Sequence, residues 1–203
     1  MRKITFFAAV LAFFVFSNLA IAQQADAMLG FGTVLSPGAA SPCQSSNGNL
    51  SFSCPEKGGL YTNISADVIF KGRVGAGFDA TWRSQGNFAD IGQPYRPILF
   101  DFNGVYQPSL GKKVGADLFA GVGWQTTRFY LPYCTNGFTC NNYVSSNHFL
   151  IDLGAGVRYY VWGNFFIRPE ARFYKITNNT DYFTSGNVLH VGASIGYTIG
   201  GPH

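Results

Sequence analysis

Charge is scarce in this chain: Asp, Glu, Lys and Arg make up 12% of its 203 residues, and there are only 3 histidines. With 47% apolar and 17% aromatic residues, intrinsic disorder is excluded, because a disordered chain lacks the apolar surface to bury. No block of basic residues occurs and the formal net charge is +4, so nucleic acid is not an expected partner. The 25 glycines follow no three-residue period, and Lys and Glu are few, which excludes collagen-like and coiled-coil architectures. Long apolar runs are missing as well. Beyond residue 22 nothing approaches the ~20 consecutive apolar residues of a membrane-spanning helix. Any crossing of a bilayer has to use strands.

What is present begins with an address. Arg2 and Lys3 precede the apolar run Phe6–Phe16, which is followed by Ser17-Asn18 and by Ala20-Ile21-Ala22. A basic region, a short apolar core and an A-x-A site are the parts of a secretory signal peptide, expected over 1–22 with removal after Ala22. A retained anchor fits less well, since the apolar run is too short to span. Residues 23–203 are read as one domain. They contain Cys43, Cys54, Cys134 and Cys140, for which three pairings are possible; the local pairs Cys43–Cys54 and Cys134–Cys140 each close a short loop. Zinc is the competing use, but the spacings match no finger or ribbon. Disulfides formed in an oxidising compartment are expected.

Beyond residue 58 apolar and other residues alternate with period two, the mark of strands whose faces meet different surroundings. One face, running from Ile64-x-Ala66-x-Val68-x-Phe70 to Leu189-x-Val191-x-Ala193-x-Ile195-x-Tyr197-x-Ile199, comprises 38 positions in seven strands and carries no charge. The opposite face carries Asp67, Asp79, Asp101, Asp117, Asp152, Arg158, Arg168, Glu170 and Arg172, together with nine glycines. An eighth strand is expected at about Met28 to Leu35, where Leu29, Phe31 and Leu35 share a face. Short turns at 71–73, 107–113 and 162–164 alternate with long polar segments at 36–58, 84–94, 128–147 and 176–186. That rhythm describes an all-β, eight-stranded, antiparallel up-and-down barrel. Bulges are expected at Pro97 and Pro169, or a strand start at Pro97, because proline cannot donate to the ladder.

Two closures fit the pattern. A soluble lipocalin-like barrel would turn the apolar face inward around a ligand; a transmembrane barrel would turn it outward to lipid. The polar face has no lysine and one glutamate, which is unlike a soluble exterior, and its glycines suit a narrow, crowded lumen. Trp82, Tyr106, Trp124, Tyr159, Phe165 and Tyr197 sit toward strand ends on the apolar face, as interfacial girdles do. The lipid-facing closure is therefore expected.

These features resemble the small OmpA/OmpX-like outer-membrane barrels over residues 27–199. The last strand also resembles the C-terminal signal read by the outer-membrane assembly machinery, through His190, Gly192, Ile195 and Tyr197. The family often ends on an aromatic residue, whereas this chain continues from Ile199 to His203. The resemblance implies a bacterial outer-membrane location with periplasmic termini, and partners in outer-membrane lipid and the assembly machinery.

The lumen is then expected to hold six carboxylates and three arginines as an interlocking ion-pair network, since unpaired charge is expensive in a desolvated interior. The excess of acid leaves a narrow, cation-preferring path as an alternative. A lipid-modifying enzyme is the third reading. His148 and His190 are the histidines within strands; His190 and Ser194 are about 13 Å apart along one strand, too far to hydrogen-bond, and His148 lies near Ser145 and Ser146. Neither catalysis nor a cofactor is expected. The long loops, rich in Asn, Ser, Gly and Tyr, suit contacts with an extracellular ligand or surface. A structural or surface-interaction role is the favoured function.

Overall fold

The computed structural model describes residues 24–36, 44–45, 52–53, 58–70, 73–84, 87–88, 94–130, 133–135, 139–141, 143–177 and 186–200. The expected leader, Cys43 and Cys54 lie outside these residues.

Eight strands build one closed wall: β1 (Gln24–Leu35), β2 (Tyr61–Ile69), β3 (Val74–Arg83), β4 (Pro94–Tyr106), β5 (Val114–Phe129), β6 (Val144–Trp162), β7 (Phe165–Ile176) and β8 (Asn187–Gly200). Each pairs antiparallel with the next, and β8 closes onto β1 in unbroken register from Gln24↔Gly200 to Leu35↔Leu189. Closure leaves no sheet edge unpaired, which is what a hydrocarbon surround demands. Outside the wall, Gln44–Ser45 pairs with Phe52–Ser53, Tyr133–Thr135 pairs with Thr139–Asn141, and Asn87–Phe88 adds to the start of β4.

The period-two pattern becomes the inside and outside of the wall. In β7, Phe166, Arg168, Glu170, Arg172, Tyr174 and Ile176 are buried, and every residue between them is exposed. Ile195, Leu153 and Phe102 stand outside at 64%, 59% and 58% exposure, while Arg168 and Asp101 are fully buried inside. The apolar face thus points outward, and the ligand-enclosing soluble arrangement is overturned.

Aromatic rings gather at both ends of the outward apolar band. Phe100, Trp124 and Phe149 meet at 5.9 and 6.2 Å toward the loop end, and Trp162, Phe165 and Tyr197 at 6.4 and 4.8 Å toward the turn end. From Phe149 to Tyr159 is about 33 Å along the strand, or about 25 Å of height at a ~40° tilt, the height of a bilayer's apolar band.

Four local expectations need correction. β1 begins at Gln24, ahead of Met28, because the outward residues there are Ala25 and Ala27, too small to register as an apolar stripe. The segment 128–147 is partly strand: β5 runs to Phe129 and β6 starts at Val144, held by polar cross-strand pairs such as Thr126 Oγ1 donating to Asn147 Oδ1 at 2.8 Å. Pro169 makes no bulge, since Gly156↔Glu170 and Tyr159↔Ile167 on either side keep one register. The shift falls instead between Tyr160 and Trp162, beside the turn where Gly163 adopts a φ of 53°. Pro97 makes no bulge either; β4 starts at Pro94, and the ladder with β3 begins at Ile98, just past the residue that cannot donate.

Candidate functional site

The lumen is the candidate site, and three arginines organise it. Arg168 and Arg172 lie four residues apart on the inner face of β7 with Glu170 between them, and Arg158 enters from β6. Arg172 reaches Asp79 at 3.2 Å, Asp101 and Asp152 at 3.5 Å, and Glu170 at 3.6 Å. Arg168 pairs with Glu170 at 2.8 Å, Asp67 at 3.2 Å and Asp117 at 3.4 Å. Arg158 pairs with Asp26 at 2.7 Å and Asp117 at 3.1 Å. The partners come from β1 to β7, so the network ties the wall together across its interior.

Two further layers support these charges. The Phe119 ring lies under both Arg168 (4.9 Å) and Arg172 (4.3 Å), and Phe166 lies under Arg158 (4.2 Å), using the attraction of a guanidinium for an aromatic face. Hydroxyls then serve two of the carboxylates: Ser65 and Thr81 donate to Asp79 at 2.6 and 3.0 Å, and Thr198 donates to Asp26 at 2.7 Å. Glycine gives the room. A Cβ at Gly121 would lie 2.3 Å from Asn103 Oδ1 and 2.6 Å from Asp152 Oδ1, so this stretch of wall has to be bare.

All nine residues expected in the network are brought together. Asp26 was missed, making seven carboxylates against three arginines where six were expected. A signal existed: Asp26 has the same parity as Gly30 and Gly32, and only the late placement of the first strand hid it. The apolar layer above the network was missed too. Val34, Tyr61, Leu99, Leu150, Tyr174, Ile176 and Val188 form a buried cluster inside the loop end of the barrel. Below the network a cavity of about 810 Å³ opens at the turn end, reaching Asp117 and Arg158 past Arg73, Lys112, Lys113 and Asn164. The lumen is therefore a charged layer capped with apolar side chains at one end and open at the other.

The remaining singled-out residues fall in separate places. Ser146 Oγ and His148 Nε2 are 2.9 Å apart at the loop-end rim. His190 is buried in the lumen with neither ring nitrogen hydrogen-bonded, and Ser194 donates to the Arg168 carbonyl at 3.4 Å, so the two do not meet. Gly192, Ile195 and Tyr197 lie on β8, with Ile195 and Tyr197 outward. Cys134 and Cys140 face each other in register in the small hairpin beyond β5. Among the described residues no group of three or more His, Cys, Asp or Glu side chains is arranged to hold a metal ion.

Solved structures with this architecture share it at low identity. Neisserial surface protein A aligns with a TM-score of 0.58 at 15% identity, covering 86% of this chain and 95% of that one. The fold is that of the small outer-membrane barrels. Ail, the attachment invasion locus protein of Yersinia pestis, aligns to this barrel at 0.55 and 14% identity in its complex with the heparin analogue sucrose octasulfate, covering 87% and 98% of the two chains. The same protein in a second structure aligns at 0.51 and 15%, covering 88% and 99%. No family model and no curated protein sequence matches the barrel.

Proposed function

We propose that this protein is an integral outer-membrane barrel with a structural or surface-interaction role, its lumen sealed and its loops offered to the exterior. One observation carries the reading: a buried network of seven carboxylates and three arginines lies under an apolar layer, which a fourth buried arginine, Arg83, joins beside Tyr61, inside a wall whose outer surface is apolar. Such an interior fills the narrow space that eight strands enclose and leaves no water-filled path through the loop end. Segment 1–22 acts as the leader, β8 carries the assembly signal, and both chain ends lie at the periplasmic side with the short turns. The disulfides Cys43–Cys54 and Cys134–Cys140 brace the loops against proteolysis. Ail was solved with a heparin analogue; for this chain the corresponding partner class is an extracellular polyanion or surface met by the loops.

The test joins membrane fractionation and gel mobility with planar-bilayer recording. The purified protein should partition with outer membranes, run faster unboiled than boiled, and give no stable conductance steps. Large steady cation-selective steps would reject the sealed lumen. A narrow cation path is the second reading, favoured by the three-charge excess of buried carboxylates (seven) over buried arginines (four) above the cavity that opens at the turn end.

A further inference from the structure

All seven carboxylates among the described residues are inside the barrel, so the described outer surface carries cations without anions. Two of those cations are forced together. Arg96 of β4 and Arg128 of β5 are directly opposite in the ladder, on the outward face of the loop end. Opposed residues hold their Cβ atoms about 5 Å apart, and like charges placed so are destabilising unless something neutralises them. Neither Nε has a hydrogen-bond partner, although both are buried. Each guanidinium has an aromatic neighbour: Arg96 lies 5.9 Å from the Tyr130 ring and Arg128 lies 4.9 Å from the Tyr143 ring. Those two rings meet edge to face at 6.4 Å, which holds the four side chains as one cluster. With Nε buried, what a phosphate can reach on each guanidinium is its pair of terminal N–H groups.

Depth identifies the anion. The row Phe100–Trp124–Phe149 marks the upper edge of the apolar band, and the row Arg96–Arg128–Ser145 lies four residues farther along the same strands. That is about 13 Å along the strand, or about 10 Å higher once tilted, the step from hydrocarbon to headgroups. Between the rows lie Ile98, Thr126 and Asn147, where the wall turns polar. We propose that Arg96 and Arg128, held by Tyr130 and Tyr143, bind the phosphate groups of a phosphorylated glycolipid in the outer leaflet. The assignment rests on the proposed orientation, with the loop end outward.

The test uses the full-length protein in detergent, titrated with diphosphorylated lipid A, with its phosphate-free counterpart of the same acyl chains, with inorganic phosphate and with sucrose octasulfate, binding being read by native mass spectrometry. The wild type should prefer the phosphorylated glycolipid by about tenfold or more, the R96Q/R128Q variant should lose that preference, and R73Q at the turn end should keep it. Equal binding of the phosphate-free lipid, or an unchanged preference in R96Q/R128Q, overturns the site. Inorganic phosphate competing at the lipid's own concentration overturns the lipid assignment in favour of a free-anion site, and octasulfate bound in place of lipid A overturns it in favour of a soluble sulfated glycan. Orientation is read separately, from an epitope inserted between Thr135 and Thr139 and probed on intact cells. A hidden epitope with the phosphate preference intact overturns the outer-leaflet assignment together with the orientation; a displayed epitope without the preference overturns the site alone.

Discussion

Arg172 and Asp79 stand on β7 and β3, which are diametrically opposite in the ring of eight, yet their side chains meet at 3.2 Å across the lumen. The contact is a strut through the barrel's centre, and the other ion pairs brace around it. Because all of these groups are desolvated, each charge depends on its partners, and removing one leaves the rest uncompensated.

Arg172→Met should therefore be costly, because it strands Asp79, Asp101 and Asp152 around an apolar side chain. A loss of about 3–5 kcal/mol is expected, read as a lower urea midpoint for unfolding from lipid vesicles. Stability equal to the wild type would mean that the network contributes nothing to holding the wall.

The apolar layer at the loop end should act as a seal. Leu99 and Leu150 are both fully enclosed within it, and truncating one to alanine costs about 2–5 kcal/mol in a packed core. In planar bilayers the Leu99→Ala/Leu150→Ala variant should show brief cation-selective openings that the wild type lacks. If the double variant stays silent, the charged layer seals the lumen unaided.

Glycine at Gly121 and Gly104 should behave oppositely. A Cβ at Gly121 meets Asn103, Asp152 and the Phe102 carbonyl at 2.3–2.6 Å, whereas the nearest atom to one at Gly104 is 3.7 Å away on the outer surface. Gly121→Ala is expected to lose about 1–3 kcal/mol by overpacking, and Gly104→Ala to gain about 0.5–1 kcal/mol by stiffening the unfolded chain. Equal effects in equilibrium unfolding would contradict a crowded lumen.

Charge on the outer face should be tolerated according to height. Leu153→Arg places a guanidinium on the apolar band and is expected to cost about 2–4 kcal/mol, while Asn147→Arg at the polar rim should cost about 0–1 kcal/mol. Folding into vesicles of defined thickness separates the two. A soluble, detergent-independent Leu153→Arg protein would argue against lipid contact at that face.

The opposed backbone positions of Cys134 and Cys140 favour a direct link between them, since cross-strand neighbours have Cα atoms at the separation a disulfide requires. Peptide mapping without reduction should find Cys134 joined to Cys140 and Cys43 joined to Cys54. A bridge between the two loops would contradict the local pairing.

The barrel was legible because lipid and lumen impose opposite demands on alternate residues, and a pleated strand displays both along its length. Each charged member of the network on β2 to β7 could be assigned inward from its parity alone. Asp26 escaped because its outward neighbours are alanines, and alternation between a small residue and a polar one reads faintly. The apolar cap escaped for the converse reason. Near the loop end both faces are apolar, as in Ile98-Leu99, Phe149-Leu150 and Val188-Leu189, so parity there carries no contrast.

Sequence alone determined the strand number and, below the loop end of β2 to β8, the side of the wall each alternating residue occupies and the segregation of charge, because those depend only on a two-residue period repeated through the chain. Which carboxylate meets which guanidinium, the diametric reach of Arg172 to Asp79 and the pairing of Arg96 with Arg128 were decided by closure and register. Those contacts join residues far apart in the chain, and their distances exist only once β8 has returned to β1.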